Sequence, residues 1–260
     1  MENNEKEKLL EKIKEKKEFS ELPEKEVEKA FEKFDKDKFS DEEKVKMARD
    51  FLRKSFSGFS GKKLFSYQER TADEILKKHL STRERYPYYS EIYSRILRNL
   101  PEKISIIDLG AGVNGLSCGF FSEMGKKVCY LGVEAVGQLV RLVNEFFSRE
   151  KIKDAEAFHM SLFETEKIKE LVKSAKSPRI VFLFKVVDSL EKAERDYTKK
   201  LLKEIMPLCE RAVISFATES WARRRRFFVN RKWLTEFINE NWHFTDDFEL
   251  GGERYLVAEN

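Results

Sequence analysis

Ile104-Ser105-Ile106-Ile107-Asp108-Leu109-Gly110-Ala111-Gly112-Val113-Asn114-Gly115 is the stretch on which the fold turns. A short apolar run ends in a carboxylate and then in three glycines, the pattern of a strand that passes into a helix through a tight turn. Outward from it the pattern recurs. Lys127 to Glu134, Arg179 to Phe184 and Ala212 to Phe216 are further apolar runs, and residues 137–150 and 192–205 between them are amphipathic at helical spacing. Such alternation builds a parallel sheet with crossover helices. Residues 243–250 and 254–259, joined at Gly251-Gly252, read as an antiparallel hairpin. The expected fold class is α/β, a Rossmann-like sheet closed by a C-terminal antiparallel hairpin.

Upstream of the sheet the sequence reads as helices. Val27, Ala30, Phe31 and Phe34 repeat at i, i+3, i+4, i+7 behind Pro23, which suits a first helical turn. Ser40 with Glu43, Thr71 with Glu74 and Ser81 with Glu84 fit the capping-box spacing and predict three helix starts. Residues 1–18 form a charged helix with only Leu9, Leu10 and Ile13 to bury, and are expected to be loosely attached. A helical N-terminal domain over residues 1–80, expected to bind nucleic acid, and a second domain over residues 81–260, expected to carry the chemistry, follow.

Composition narrows the partners. The chain of 260 residues carries 51 Lys and Arg against 47 Asp and Glu, and 41% hydrophobic residues are enough for a real core. No apolar stretch approaches the roughly 20 residues that cross a bilayer, and the N-terminal Lys/Glu run has no apolar signal region, so no membrane partner is expected. Cys118, Cys129 and Cys209 are unevenly spaced, which argues against a disulfide framework and a thiolate metal site. A reducing, cytoplasmic setting is expected, with no metal. Charge is uneven: residues 51–100 hold 11 basic and 5 acidic side chains, and Arg223-Arg224-Arg225-Arg226 with Arg231 and Lys232 makes a second basic cluster. Two separated basic patches point to nucleic acid.

The glycines Gly110, Gly112 and Gly115 satisfy the dinucleotide spacing GxGxxG, and Glu134 ends the next apolar run, where a carboxylate can accept both hydroxyls of an adenosine ribose. NAD and S-adenosylmethionine both fit. Three features resemble class I methyltransferases and favour S-adenosylmethionine: Asp108 two residues before the first glycine, about a hundred helical residues before the nucleotide-binding strand, and the terminal hairpin.

Four further segments narrow the resemblance. His79-Leu80-Ser81-Thr82-Arg83-Glu84-Arg85-Tyr86-Pro87 with Tyr93, Asp108 to Asn114, Phe182-Leu183-Phe184-Lys185 with Leu190-Glu191, and Val213-Ile214-Ser215-Phe216-Ala217-Thr218 resemble, in order, the motifs of the aminoglycoside-resistance 16S ribosomal RNA guanine-N7 methyltransferases. The HxSTRER-like segment is the most specific, because general methyltransferases lack it, and the resemblance covers about residues 60–220. Two departures stand out. Ser161-Leu162 replaces the family's Asp-Leu beside the adenine, which passes adenine recognition to a backbone amide, and Ser220-Trp221-Ala222-Arg223-Arg224 replaces a glycine-rich run near the nucleic acid.

What the resemblance implies is specific. S-adenosylmethionine would be held by Asp108, Gly110, Gly112, Asn114, Glu134, Ala135, Ser161, Leu162 and Lys185, with Arg83 or Arg85 gripping the methionine carboxylate as a guanidinium fork can. Lys185 should face the crevice at the strand ends, Asp188 is a weaker active-site candidate, and His79 is a structural hydrogen-bond partner. Lys54, Lys62, Lys63, Arg70, Lys77 and Lys78 would contact phosphates, with Arg223, Arg224, Arg225 and Arg226 closing over the other side. Trp221, Tyr86 or Tyr88 would hold a guanine turned out of its stack. The implied partner is 16S ribosomal RNA within the assembled 30S subunit, met by a monomer, and the implied product blocks aminoglycosides. Guanine N7 carries an unshared pair and no proton, so positioning suffices and no general base is needed. The alternatives are methylation of another RNA position such as adenine N1, an RNA-binding factor that keeps the fold without turnover, and an NAD-dependent oxidoreductase.

Overall fold

The computed structural model describes residues 2–56, 70–220, 225–226 and 231–260. Its strands are β1 (Lys103–Leu109), β2 (Lys127–Glu134), β3 (Ala155–His159), β4 (Arg179–Phe184), β5 (Arg211–Ala217), the short β6 (Glu219–Ser220) and β7 (Arg225–Arg226), β8 (His243–Leu250) and β9 (Glu253–Glu259). The main sheet runs β3-β2-β1-β4-β5-β9-β8, and β6 pairs with β7 apart from it. β1 to β5 are mutually parallel, whereas β9 lies antiparallel between β5 and β8. This is the expected Rossmann-like class I methyltransferase sheet with its terminal hairpin. The strand order reverses between β1 and β4, and such a switch point opens a crevice at the strand ends.

The helices are α1 (Glu2–Lys14), α2 (Glu24–Glu32), α3 (Asp41–Phe56), α4 (Ala72–Lys78), α5 (Leu80–Arg83), α6 (Tyr89–Ile96), α7 (Cys118–Glu123), α8 (Gly137–Arg149), α9 (Thr165–Ser174), α10 (Val187–Ala193), α11 (Tyr197–Ile205) and α12 (Lys232–Asn241). Capping boxes open α3 at Ser40 and α4 at Thr71, where Glu74 Oε2 accepts from the Thr71 amide at 3.1 Å. The start predicted at Ser81 is not realised. Ser81 lies inside the single turn of α5, Pro87 sits in a short 3-10 turn before α6, and the Glu84 carboxylate turns away to Lys185 at 2.6 Å. The segment 192–205 is likewise two helices. Asp196 takes a left-handed φ of 61°, and the Glu191 carboxylate accepts from the amides of Asp196 (2.8 Å) and Thr198 (2.9 Å), which closes one helix and opens the next.

Period-two alternation divides β1 between the two faces of the sheet: Ile106 packs with Tyr93, Tyr130 and Phe182 on one side, Ile107 with Val181, Leu201 and Ile214 on the other. A third core belongs to α1, α2 and α3, where Ile13, Val27, Phe31, Val45, Ala48 and Leu52 are buried together. α1 is therefore packed rather than loosely attached: Ile13 is fully buried, and Arg49 donates to the carbonyls of Lys12 and Ile13 at the helix end. Ile75 and Leu76 of α4 pack with the sheet rather than with the core of α1, α2 and α3. α2 is fastened to the sheet unit by Lys29 to Glu194 (3.1 Å) and by Lys33 Nζ donating to the Lys192 carbonyl (2.6 Å), and Glu21 just before it pairs with Arg141 of α8 (2.8 Å). No helix among the described residues is long and apolar enough to cross a membrane.

Candidate active site

A cleft opens at the carboxyl ends of β1, β2 and β4, lined by Gly110, Gly112, Glu134, Ala135, Leu162, Phe163, Phe184, Lys185 and Val186 from the sheet unit. The turn after β1 makes its floor. The amides of Gly110 and Ala111 both donate to the Val133 carbonyl at 2.9 Å, which folds the loop back on β2. Gly110 has φ 76° and Gly112 φ 54°, and a Cβ at Gly110 would collide with Val186 Cγ1. Only glycine meets both demands without strain. The Glu134 carboxylate ties the loop down, Oε2 accepting from the Gly112 amide (2.9 Å) and Oε1 from the Val136 amide (2.8 Å). Burial pushes this carboxyl up and the amide donors oppose it. Each oxygen keeps a further lone pair for the cleft.

Beneath the loop lies a network that the linear sequence does not announce. Asp108 is buried; its Oδ2 accepts from Asn114 Nδ2 (2.7 Å) and from the Tyr130 hydroxyl (2.8 Å), while Oδ1 has no partner among the described residues. Burial raises the Asp108 carboxyl against those two donors. Asn114 Oδ1 in turn accepts from Tyr89 (2.7 Å) and from Arg85 Nη1 (3.0 Å). Arg85 also donates to Tyr255 (3.3 Å) and to Glu253 Oε1 (2.7 Å), and its guanidinium lies over the Phe184 ring at 4.4 Å. This corrects the role expected for Arg85: its fork is spent on buried partners and does not line the cleft. Arg83, half-buried on α5, also lies outside the cleft lining. Lys185 does line it, held at φ 60° and paired with Glu84 (2.6 Å) and Glu253 Oε2 (3.3 Å). Burial pushes the Glu253 carboxyl up, but Arg85 and Lys185 overcome it and hold it below the usual carboxylate range.

The remaining wall comes from the N-terminal helices. Glu26 of α2 and Phe51, Ser55 and Phe56 of α3 line the same cleft, although the sequence suggested only an RNA surface for this unit. Ser161, expected beside the adenine, is fully buried and does not reach the cleft; its hydroxyl donates to Glu26 Oε1 at 2.7 Å and accepts from the Phe163 amide at 3.0 Å. One signal could have found Glu26: a serine stands where the resembled family has a carboxylate.

The expected RNA residues scatter. Lys54 and Lys78 are exposed, Arg70 is half-buried, and Lys77 sits 3.6 Å from Asp73 and over the Tyr86 ring at 4.6 Å. Lys62, Lys63, Trp221, Arg223 and Arg224 lie outside the described residues, and Arg225 and Arg226 are described only as the backbone of β7. Tyr86 is engaged, donating to Asp73 Oδ2 at 2.5 Å and meeting Phe120 edge-on, whereas Tyr88 is the one exposed large apolar side chain among the described residues. Asp188 does not line the cleft; it pairs with the buried Arg231 at 2.5 Å. His79 is buried, and desolvation pulls its titration down to about 4, so it is neutral. Among the described residues no group of His, Cys, Asp and Glu could hold a metal ion.

Known proteins share this architecture. The crystal structure of the 16S rRNA methyltransferase RmtF in complex with S-adenosyl-L-homocysteine superposes with a TM-score of 0.75 at 21% identity over 98% of both chains. The crystal structure of an rRNA methylase from Escherichia coli gives 0.74 at 21% identity, over 98% of this chain and 99% of that one. These likenesses show the fold. A 16S rRNA (guanine(1405)-N(7))-methyltransferase of Proteus mirabilis is 25% identical over 199 residues, 71% of this chain and 64% of that protein, so the match spans less than two thirds of the relative's length. The family described as ribosomal RNA methyltransferase (FmrO) matches residues 68–247, and the chain belongs to it.

Proposed function

We propose that the protein transfers a methyl group from S-adenosylmethionine to 16S ribosomal RNA, at N7 of a decoding-site guanine in the assembled 30S subunit of the cytoplasmic ribosome. The observation that carries this reading is the cleft itself: a glycine floor that admits no Cβ beside a carboxylate whose oxygens are aimed by two backbone amides. The residues fit an adenosyl ligand. Glu134 has lone pairs left for two ribose hydroxyls, and Leu162, Phe163 and Val186 give apolar walls for a purine. With Arg85 occupied, Lys185 is the cation among the described residues that lines the cleft, and after its hydrogen bond to Glu84 the ammonium keeps donor capacity for a ligand carboxylate.

The cofactor supplies a methyl already activated on a sulfonium. The chain's task is to hold that methyl in line with an acceptor nitrogen, which is catalysis by positioning. Guanine N7 suits such a site because no proton has to be removed, and none of the cleft-lining residues is a histidine. Tyr88, exposed near the glycine turn of the β8–β9 hairpin, offers a ring for a base turned out of its stack. The P. mirabilis relative, a guanine-N7 methyltransferase of 16S rRNA, supports the choice of acceptor.

The test is methyl transfer from labelled cofactor to purified small subunits, followed by borohydride–aniline scission. Cleavage at one decoding-site guanine is the expected result, and host resistance to aminoglycosides that bind there should follow. A methylated adenine, or cofactor binding with no transfer, would overturn the assignment.

A further inference from the structure

Two carboxylates face the same end of the cleft, Glu134 from β2 and Glu26 from α2, and the walls near them are apolar: Ala135, Leu162 and Phe163. Glu26 is half-buried, and among the described residues no Lys, Arg or His forms an ion pair with it. Its partners are Ser161, whose hydroxyl fixes Oε1 and whose own acceptor capacity goes to the Phe163 amide, and the Leu162 backbone amide, which leaves lone pairs toward the cleft. An acceptor inside apolar walls costs free energy until something donates to it. Burial pushes the Glu26 carboxyl up to about 7, with Glu134 and Glu164 adding like-charge repulsion and the bonds from Ser161 and the Leu162 amide opposing it. This end of the cleft is therefore complementary to a flat apolar ligand that brings hydrogen-bond donors on its sugar and on its ring edge.

Resting on the adenosyl reading of the cleft, we infer that Glu26 accepts a hydrogen bond from the exocyclic amino group of the adenine, so that the N-terminal helical unit supplies the base-specifying residue of the cofactor site. Ser161 is then a positioning residue that orients Glu26. The end of β3 brings no carboxylate of its own, and the acceptor arrives from 135 residues away in sequence. A 6-oxo purine in the same slot would set an oxygen against the carboxylate, so the site discriminates by an acceptor with nothing to accept. The consequence reaches the fold as well, because adenine is read only when α2 is docked.

The test is calorimetry on the full chain, at about pH 8.5 so that Glu26 is ionised, with S-adenosylhomocysteine and with S-inosylhomocysteine, in which a keto group replaces the amino group. The wild type should bind the adenosyl compound at least roughly tenfold more tightly, the size expected for one hydrogen bond to a charged group. Glu26→Gln keeps the Ser161 contact and turns an amide donor to the ligand, so it should weaken the adenosyl compound and narrow the preference about tenfold or more. Glu26→Ala should lose the preference, and adding Ser161→Asp should restore it, because the longer side chain reaches into the space vacated by the Glu26 carboxylate, which stands 2.7 Å from the Ser161 hydroxyl. Thermal melts identify folded variants, and either Glu26→Gln or the double variant suffices. An unchanged ratio in both overturns the inference while the cofactor reading stands; a wild type that binds neither compound overturns both.

Discussion

The two carboxylates of the cleft are held in opposite ways. Glu134 stands at the end of a central strand, and both its oxygens take backbone amides, so its position is set by the sheet and by the turn it ties down. Glu26 rides on a short helix with a core of its own, joined to the sheet unit by a serine hydroxyl and a few ion pairs. The lesson is that a binding site can be rigid on one side and only docked on the other. Substitutions on the sheet side should damage fold and binding together, whereas those on the helix side should separate the two.

The largest effect should come from the network behind the sheet side. Arg85→Ala leaves Glu253 buried at 1% exposure and strips Asn114 of a donor. Breaking such a buried pair costs about 3–5 kcal/mol, so urea denaturation should show a loss of that order, and wild-type stability would mean that the network is dispensable. Next comes the floor: Gly110→Ala sets a methyl against Val186 in a left-handed turn, at a cost on the order of 1–3 kcal/mol, and should abolish measurable S-adenosylhomocysteine binding by calorimetry. Glu134→Ala should weaken the same ligand roughly 100-fold, since hydrogen bonds to a charged group are lost along with the anchor of Gly112.

Glu26→Gln sharpens the contrast, because binding falls while stability rises. The folded carboxyl titrates at about 7 instead of 4.5, so the native state holds the proton more tightly than the unfolded chain. Stability present below pH 4.5 is then lost as pH rises through about 7. Glutamine, which carries no charge, escapes that loss, and the variant should be the more stable by about 1–2 kcal/mol at pH 8 and no more stable at pH 4, after allowance for screening in an open cleft. Parallel melting curves at both pH values would contradict this. The smallest effect belongs to the exposed surface: Lys54→Glu with Lys78→Glu should weaken small-subunit binding roughly two- to tenfold and flatten its salt dependence, with no change in cofactor affinity.

Most of the sheet was legible, because its strands are buried on both faces and their apolar runs carry no competing pattern. β2 and β4 begin and end where the sequence puts them, and the glycine turn with Glu134 forms the floor of the cleft. β3 gave a weaker signal, since its Ala155-Glu156-Ala157-Phe158-His159 sits at the sheet edge and buries only Ala157. What stayed hidden depends on distance along the chain. Arg85 meets Glu253 across 168 residues, and no local pattern distinguishes an arginine aimed at a ligand from one aimed at such a partner. Glu26 is one of many glutamates in a Lys/Glu-rich helical region, and only the docking of α2 selects it.

β9 is the last strand in sequence and yet an interior one, seated between β5 and β8. Because it carries Glu253, the ion-pair partner of Arg85 among the described residues is missing until β9 has been synthesised and inserted. A nascent chain that emerges amino end first therefore holds its glycine turn early but cannot settle the residues beneath it. The support beneath the cleft floor is settled only once β9 is in place, and a chain cut before β9 would be unstable rather than weakly active.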